Sequence, residues 1–471
     1  MKKTKRRLEP LSFYDHTGIE AHLEKMALKG WMIERMSNTG WIYRQIEPKK
    51  LHFSVSYYPK ASEFDPEPTE GQQTFYDFCA HTGWMLACSP AQMQVFYNER
   101  ENPIPIETDP VIEVETLHAA CKKSFLPAYG VLLVMGILLG INFMGTVWVD
   151  PIRVLSDPSR LFTGVCWVLM LVLSASDITA YYLWRKKALA AAEQGYFLDS
   201  YSTAKLQKVI LGVLAIVVIY LVTNIIFAGD ALMQFIMVAM ALYWMSAYVL
   251  ADKTKQWMKR KKVSRNGNRI GTFLIVFVFG VALIHLIMLA ALKLNRSGLF
   301  AGDQETYEYR GETWVIHKDE IPLRVEDLLD IQYDEYMTLN SADESIFLIR
   351  QDIQQRPRFD AVDYKGIPNL NYTVVTVKMP WLYDICRNWM YDDLDEKDET
   401  DIPDGHRIYL RPVDPQPWGA VEAYNVTNQE FEIEDGETRK YLLCYEHQLV
   451  EIRFDWDVTE EQRAIVGQVF G

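Results

Sequence analysis

Five long apolar runs follow one another between residues 126 and 292, and this succession limits the chain's possible folds more than any other feature. A bilayer core needs about 20 apolar residues in helical form, since each residue rises only about 1.5 Å. Residues 126–148, 209–228, 231–251 and 270–292 carry no charge, and residues 161–184 carry one, Asp177. None shows the polar face that a soluble amphipathic helix would present. The runs predict five transmembrane helices, and Gly229-Asp230 makes the third and fourth a tight helical hairpin.

The connections alternate in basic content. Lys122 and Lys123 precede the first run, while only Arg153 and Arg160 follow it. Arg185, Lys186, Lys187, Lys205 and Lys208 lie between the second and third. Lys253, Lys255, Lys259, Arg260, Lys261, Lys262, Arg265 and Arg269 precede the fifth. Basic loops stay cytoplasmic, so the N-terminus is expected in the cytoplasm and the C-terminal domain outside. Charge partition agrees. Residues 1–300 hold 32 basic and 24 acidic side chains, a net of +8. Residues 301–471 hold 16 and 38, a net of −22. So acidic a domain would be repelled by the anionic inner leaflet and by nucleic acid alike.

Residues 1–98 read as a small cytoplasmic domain. Met1 to Arg7 is basic, but no apolar core follows, so no cleaved leader is expected and the stretch reads as a solvated or lipid-facing tail. The domain then repeats itself. A helix with Leu23, Met26 and Ala27 on one face ends at Gly30-Trp31-Met32-Ile33. Another with Tyr76, Cys79 and Ala80 ends at Gly83-Trp84-Met85-Leu86. Each Gly can close a helix in the left-handed conformation, and each Trp then opens a strand. Residues 41–46, 51–58 and 94–97 complete the order helix, three strands, helix, two strands. That order predicts a duplicated helix-and-strand domain: one antiparallel sheet with both helices above it and both indoles largely buried. Residues 99–124 form a linker, stiffened by Pro103, Pro105 and Pro110, then a pre-membrane helix.

The residues Arg7-Leu8, Phe13-Tyr14-Asp15, Leu23 to Ala27, Lys29-Gly30-Trp31, Phe75 to Trp84 and Val95-Phe96-Tyr97 together resemble the bacterial family named domain of unknown function 2812. The resemblance covers about a fifth of the chain. It implies a protein of the Bacillota in which this domain precedes membrane spans, encoded near PadR-like regulators, and so hints at envelope response. It carries no catalytic residues.

Inside the apolar runs two ionisable residues stand out, Asp177 and His285. A charge at mid-bilayer costs about 2.5–3.5 kcal/mol on insertion scales, so both are candidate functional residues. A proton or ion relay is one reading; the other is that Asp177 reaches the interface or a neighbouring helix and that His285 is hydrogen-bonded within the bundle. Gly136 and Gly140 form a GxxxG pair suited to close packing against another run.

Residues 293–471 read as an acidic extracytoplasmic α+β domain. Strands are expected at 313–317, 345–350, 372–378, 407–411 and 441–454, and helices at 381–390 and after the capping box Thr459–Gln462. The acidic run Asp392–Asp401 suggests calcium, but an EF-hand frame starting at Asp393 puts Lys397 at a ligand position and lacks the required Gly. It reads as a solvated loop. Cys386 and Cys444 share this region and could pair or remain buried thiols.

No HExxH, GxSxG, Walker A or Rossmann fingerprint is present, nor any zinc-spaced Cys/His set. The fold class expected is therefore a multi-domain α+β membrane protein: a small cytoplasmic domain, five membrane helices (125–292) and an external domain. No catalytic residue, metal or cofactor is expected; the partners expected are the lipid bilayer and an unidentified protein. A membrane-anchored sensor or regulator uses all three regions. A transporter or transport-accessory subunit leaves the outer domain without a role, and an external enzyme has no motif behind it.

Overall fold

The computed structural model describes residues 3–37, 40–227, 231–296, 305–331, 333, 336–361, 366–395, 408–428 and 438–471. The chain divides into two units. One comprises Met1–Gly140, Val165–Val222 and Met233–Ala290, and the other Ile141–Gly164, Thr223–Leu232 and Ala291–Gly471.

The N-terminal region runs β1 (Thr4–Arg7), α1 (His16–Leu28), β2 (Trp31–Arg35), β3 (Trp41–Gln45), β4 (His52–Tyr57), α2 (Glu70–His81), β5 (Met85–Cys88) and β6 (Met93–Asn98). Its strands make two three-stranded antiparallel sheets, ordered β1-β3-β2 and β4-β6-β5. This corrects the expected single sheet. Within the basic stretch read as a tail, Thr4–Arg7 is the edge strand β1, with Thr4 opposite Arg44 and Arg7 opposite Trp41. All four of its side chains are exposed, so it lacks the alternation that would have announced it. The strand at 52–57, assigned to the first half by its position, pairs with β6 instead of β3. Each half therefore follows strand, helix, strand, strand.

Both helices end where their glycines allow. Gly30 has φ +79° and Gly83 φ +89°, and their amides bond the Ala27 and Ala80 carbonyls. The two indoles are not equivalent. Trp84 is buried with Cys79, Phe96 and Ile106, and its Nε1 donates to the Ile104 carbonyl at 2.8 Å. Trp31 is half-buried at the margin of a different cluster, with Lys5 Nζ 5.4 Å from its ring. The expectation of two matched, buried tryptophans on one face does not hold.

Asp109 caps α3 (Pro110–Lys123), with Pro110 in the first turn, where its missing N–H costs nothing. Val114, Leu117 and Cys121 join Tyr14, Leu23, Met26, Val55 and Val95 in one core. That core also takes in Phe125, Tyr181 and Trp184, so it runs without a break into the helices that follow.

Those helices are α4 (Phe125–Val149), the short α5 (Pro151–Ser156), α6 (Pro158–Ala192), α7 (Ala204–Phe227), α8 (Ala231–Arg260) and α9 (Arg265–Arg296). Among the described residues α4, α6, α7, α8 and α9 are long and apolar enough to cross a membrane. By length and composition this is a multi-pass membrane protein. The Gly229-Asp230 connection lies outside the described residues. Several helices outrun their apolar segments. The 35 residues of α6 span about 52 Å, well beyond a bilayer core of about 30 Å. Its last stretch, Arg185 to Ala192, is rich in Lys and Ala, which favour helix, and there Ala188 and Leu189 pack into the core of the N-terminal region. Gly136 and Gly140 face α6. A methyl group on them would meet Leu171 at 3.0 Å and Trp167 at 3.1 Å, so the GxxxG pair packs two helices of one chain together.

In the second unit β7 (Thr306–Tyr309) and β8 (Glu312–Val315) form a hairpin. Then come α10 (Val325–Leu328), β9 (Tyr336–Glu344), β10 (Leu348–Pro357), β11 (Leu370–Val377), α11 (Tyr383–Asp393), β12 (Ile408–Pro412), β13 (Glu422–Asn428), β14 (Lys440–Cys444), β15 (Gln448–Phe454) and α12 (Glu460–Phe470). Seven of the strands make one antiparallel sheet in the order β12-β13-β14-β15-β11-β10-β9. Alternation along β11 sends Leu370, Tyr372 and Val374 to the core under α12, and Val375 and Val377 to a second core. The second core lies under α11, where Leu382, Cys386 and Met390 meet Ile152 of α5. The expected capping box opens α12: Gln462 N donates to Thr459 Oγ1 at 3.3 Å, and Thr459 N to Gln462 Oε1 at 3.0 Å. Cys386 and Cys444 are buried free thiols, whose pKa values burial pushes up to about 11 and about 12. The acidic run is described only as far as Asp395; its remainder lies outside the described residues.

Candidate functional site

The structure separates the two ionisable residues singled out in the apolar runs. His285 is exposed on α9, and its Nδ1 lies 2.8 Å from the Val281 carbonyl one turn earlier. Its hydrogen bond is to its own helix, and among the described residues it bridges to no other. Asp177 is fully buried in α6. Its Oδ2 accepts a hydrogen bond from Ser12 Oγ at 3.0 Å and one from Gln207 Nε2 of α7 at 2.9 Å. Thr203 Oγ1 stands 2.9 Å from Ser12 Oγ and 3.1 Å from Gln207 Nε2. A buried carboxylate is tolerable only when hydrogen-bonded, and here the N-terminal region supplies one of the donors.

The segment from Ser12 to Glu20 is positioned for this by α1. Asp15 caps the helix, its Oδ1 accepting from Gly18 N at 3.0 Å, which turns residues 12–17 toward the connection between α6 and α7. Tyr14 donates its hydroxyl to the Tyr201 carbonyl at 2.8 Å, and burial, then the charges of Asp177 and Asp15, hold that phenol well above its ordinary value. It is a permanent donor. Ser200 Oγ donates to Asp15 Oδ1 at 2.6 Å, and Ser200 N donates to Thr17 Oγ1 at 3.0 Å. Tyr14 also packs edge-on to Tyr181 and Phe125. One short segment thus contacts α4, α6 and the 193–203 connection.

Beside it lies a titratable trio. His16 Nε2 pairs with Glu113 Oε1 at 2.9 Å. Burial alone would depress the imidazole, but the hydrogen bond and charge of Glu113 outweigh it and raise the pKa. Glu20 Oε1 accepts from Val55 N at 2.7 Å. Burial pushes its carboxyl up to about 7, against the opposing pull of His16.

A second contact joins residues 58–68 to the ends of α8 and α9. Arg265 holds Asp65 through Nε at 2.6 Å and Nη2 at 2.8 Å, Lys255 pairs with Glu63 at 3.0 Å, and Asn268 Nδ2 donates to the Phe64 carbonyl at 3.2 Å. Two of the basic loop residues that set the expected sidedness, Lys255 and Arg265, therefore also grip protein. Nothing in the sequence announced this, because the partners lie about two hundred residues apart.

The other unit holds a cavity of about 250 Å3 between α5, α11 and the sheet, lined by Asp150, Ile152, Arg350, Thr373, Trp389 and Glu451 among others. Arg350 reaches Asp150 at 3.4 Å and Asp352 at 3.2 Å, and Lys440 holds Glu451 at 2.7 Å. Burial, with Glu451 and Asp150 nearby, raises the Asp393 carboxyl. These charges tie α5 to the sheet. Among the described residues no group of three His, Cys, Asp or Glu side chains is arranged to hold a metal.

Residues 15–128 match the model of a family described as protein of unknown function (DUF2812). The match begins at the cap of α1 and ends in the first turns of α4, so it takes in α3 and the core that α3 completes. No curated protein and no solved structure matches the chain.

Proposed function

We propose that the protein is a membrane-anchored sensor or regulatory protein, without catalytic activity of its own, that couples an extracytoplasmic domain to a small cytoplasmic one in envelope response. The observation that carries this reading is the seat of residues 12–20 on Asp177, Thr203 and Gln207. Side chains of the N-terminal region complete a buried polar cluster between two apolar helices. A change in the packing of α6 against α7 therefore alters how that region is held. Sidedness in this proposal follows the basic residues: Arg185 to Lys187 and Lys253 to Arg269 belong to the same unit as the N-terminal region. The partner that receives the signal is a protein bound by the N-terminal region, and no cofactor enters.

Reporter fusions at the two termini test the topology, with opposite compartments expected. Photocrosslinking from the exposed Phe78 and Leu28 positions in intact cells tests the coupling. The full chain and a chain ending at residue 300 should capture the same partner in different yield. Equal yields from both would remove the coupling, whatever the partner is.

A further inference from the structure

The second unit carries an apolar patch that its fold leaves uncovered. Ile346, at the turn between β9 and β10, is 54% exposed, Trp381 66% and Ile385 49%, and Met379 adds to them. Trp381 and Ile385 stand one helical turn apart on the outer face of α11 and its leading turn, while Leu382, Cys386 and Met390 fill the inner face.

Their place in the chain says what lies against them. The connection holding α5 runs only from Asp150 to Asp157, between the ends of two membrane-length helices, so α5 cannot leave the bilayer surface by more than a few residues' reach. The patch is tied to α5 directly. Ser345 Oγ donates to the Leu155 carbonyl at 2.5 Å, placing the neighbouring Ile346 at the level of α5. Lys378 N then bonds the Phe347 carbonyl at 2.9 Å, and Lys378 Nζ the Ser345 carbonyl at 2.7 Å, bringing Met379 and Trp381 to the same turn. At the end of α4, Trp148 is 88% exposed, as an indole placed among headgroups would be. Exposed aliphatic and indole side chains on segments tied to α5, between the ends of two membrane-length helices, suit the headgroup–acyl boundary better than water.

We infer that Ile346, Met379, Trp381 and Ile385 form a lipid-docking edge, by which the β-sheet domain rests in the interface of the leaflet next to α5. The occupant is the bilayer itself. The contact is apolar, since Asp384 and Asp392 flank it and would weaken any attraction to anionic headgroups. It rests on the five helices crossing a membrane, not on any regulatory role.

Tryptophan quenching in the full chain tests it. Parent protein and Trp381→Phe are placed in nanodiscs of phosphatidylcholine with and without bromine near the top of the acyl chains. The difference between them isolates Trp381 from the other tryptophans. Bromolipid should remove at least half of that difference signal, iodide should remove little, and raising salt should change neither. Ile346→Trp on the parent chain, compared with the parent, reports the same environment by a gained signal, which covers the case in which Trp381→Phe folds poorly. Iodide quenching without bromolipid quenching would put the patch in water and overturn the proposal. Quenching by neither agent would mean that protein, such as a second copy of the chain, covers the patch, and would overturn it equally.

Discussion

Ser12 and Ile152 each fix a folded region to membrane-length helices, one as a hydrogen-bond donor to a buried carboxylate and the other as an aliphatic side chain inside a core. Ser12, Tyr14 and Asp15 meet Asp177, Ser200, Tyr201, Thr203 and Gln207 through hydrogen bonds whose geometry must be right for any of them to count. Ile152 shares a core with Leu382, Cys386 and Leu449, held by dispersion and water exclusion, which tolerate small displacements. A polar seat responds to pH, salt and small rotations of a helix, whereas an apolar one responds mainly to lost volume. The N-terminal seat is therefore the adjustable one and the α5 seat the fixed one.

The largest effect expected is on the fixed seat. Ile152→Ala removes a side chain only 2% exposed and should cost about 2–5 kcal/mol, read as faster hydrogen exchange across β10 and α11 in nanodiscs. The loss should be the same at pH 6 and pH 8. A strong pH dependence there would erase the contrast between the seats.

Asp177→Asn comes next. It keeps the shape but replaces an acceptor oxygen with a donor that competes with Ser12 and Gln207, at about 1–3 kcal/mol. Residues 10–20 should exchange faster while β9 to β15 stay unchanged. Ser12→Ala should reproduce the effect in weaker form. If neither variant alters exchange in residues 10–20, the hydrogen bonds are incidental and apolar packing around Tyr14 holds this region too.

The pH response sharpens the comparison further. Glu20 rises from its ordinary 4.5 to about 7 on folding, so the folded state binds a proton that the unfolded state gives up. Its contribution is present below about pH 4.5 and is lost as pH climbs through about 7. His16 is also raised, and its contribution likewise fades as pH rises past its folded value. Protection of α1 and β4 should therefore be greater at pH 5.5 than at pH 8. Glu20→Gln should flatten that profile and raise protection at pH 8, since the amide oxygen can still accept from Val55 N. A parent profile without slope would remove Glu20 and His16 from the account.

The smallest effect is ionic. Each of Arg265–Asp65 and Lys255–Glu63 has one exposed end, Arg265 in the first and Glu63 in the second, so each is worth about 0.2–1 kcal/mol and is screened by salt. Going from low to high salt should loosen residues 58–68 modestly and leave the Ile152 core unmoved.

Much of the architecture was legible because local rules carry it. The five helices follow from apolar length. The ends of α1 and α2 follow from Gly30 and Gly83, and α12 from Thr459 and Gln462. In the seven-stranded sheet β11 showed alternation and β14 and β15 read as one apolar strand stretch, while β9 and β13 gave no such signal. From Ser341 to Glu344, β9 is exposed on both faces, and β13 mixes Glu, Asn and Thr among its apolar residues. β1 escaped notice for the same reason, since backbone pairing leaves no mark on side chains that stay in solvent.

Of the two ionisable residues, the sequence marked both and could not rank them. A charged or polar group in an apolar run signals a cost, and what relieves it is decided by residues far away in the chain. For Asp177 the relief comes 165 residues upstream and 30 downstream, from Ser12 and Gln207. For His285 it comes four residues earlier, from the Val281 carbonyl. Sequence alone determined the number of apolar helices, the glycine-terminated helices of the N-terminal region and the acidity of the C-terminal one. All of these depend on neighbours in the chain. Only the tertiary structure decided that six N-terminal strands form two sheets, that α5 belongs to the β-sheet core, and that Asp177 is bonded to the N-terminal region. Each of these turns on hydrogen bonds or packing between residues that folding alone makes neighbours.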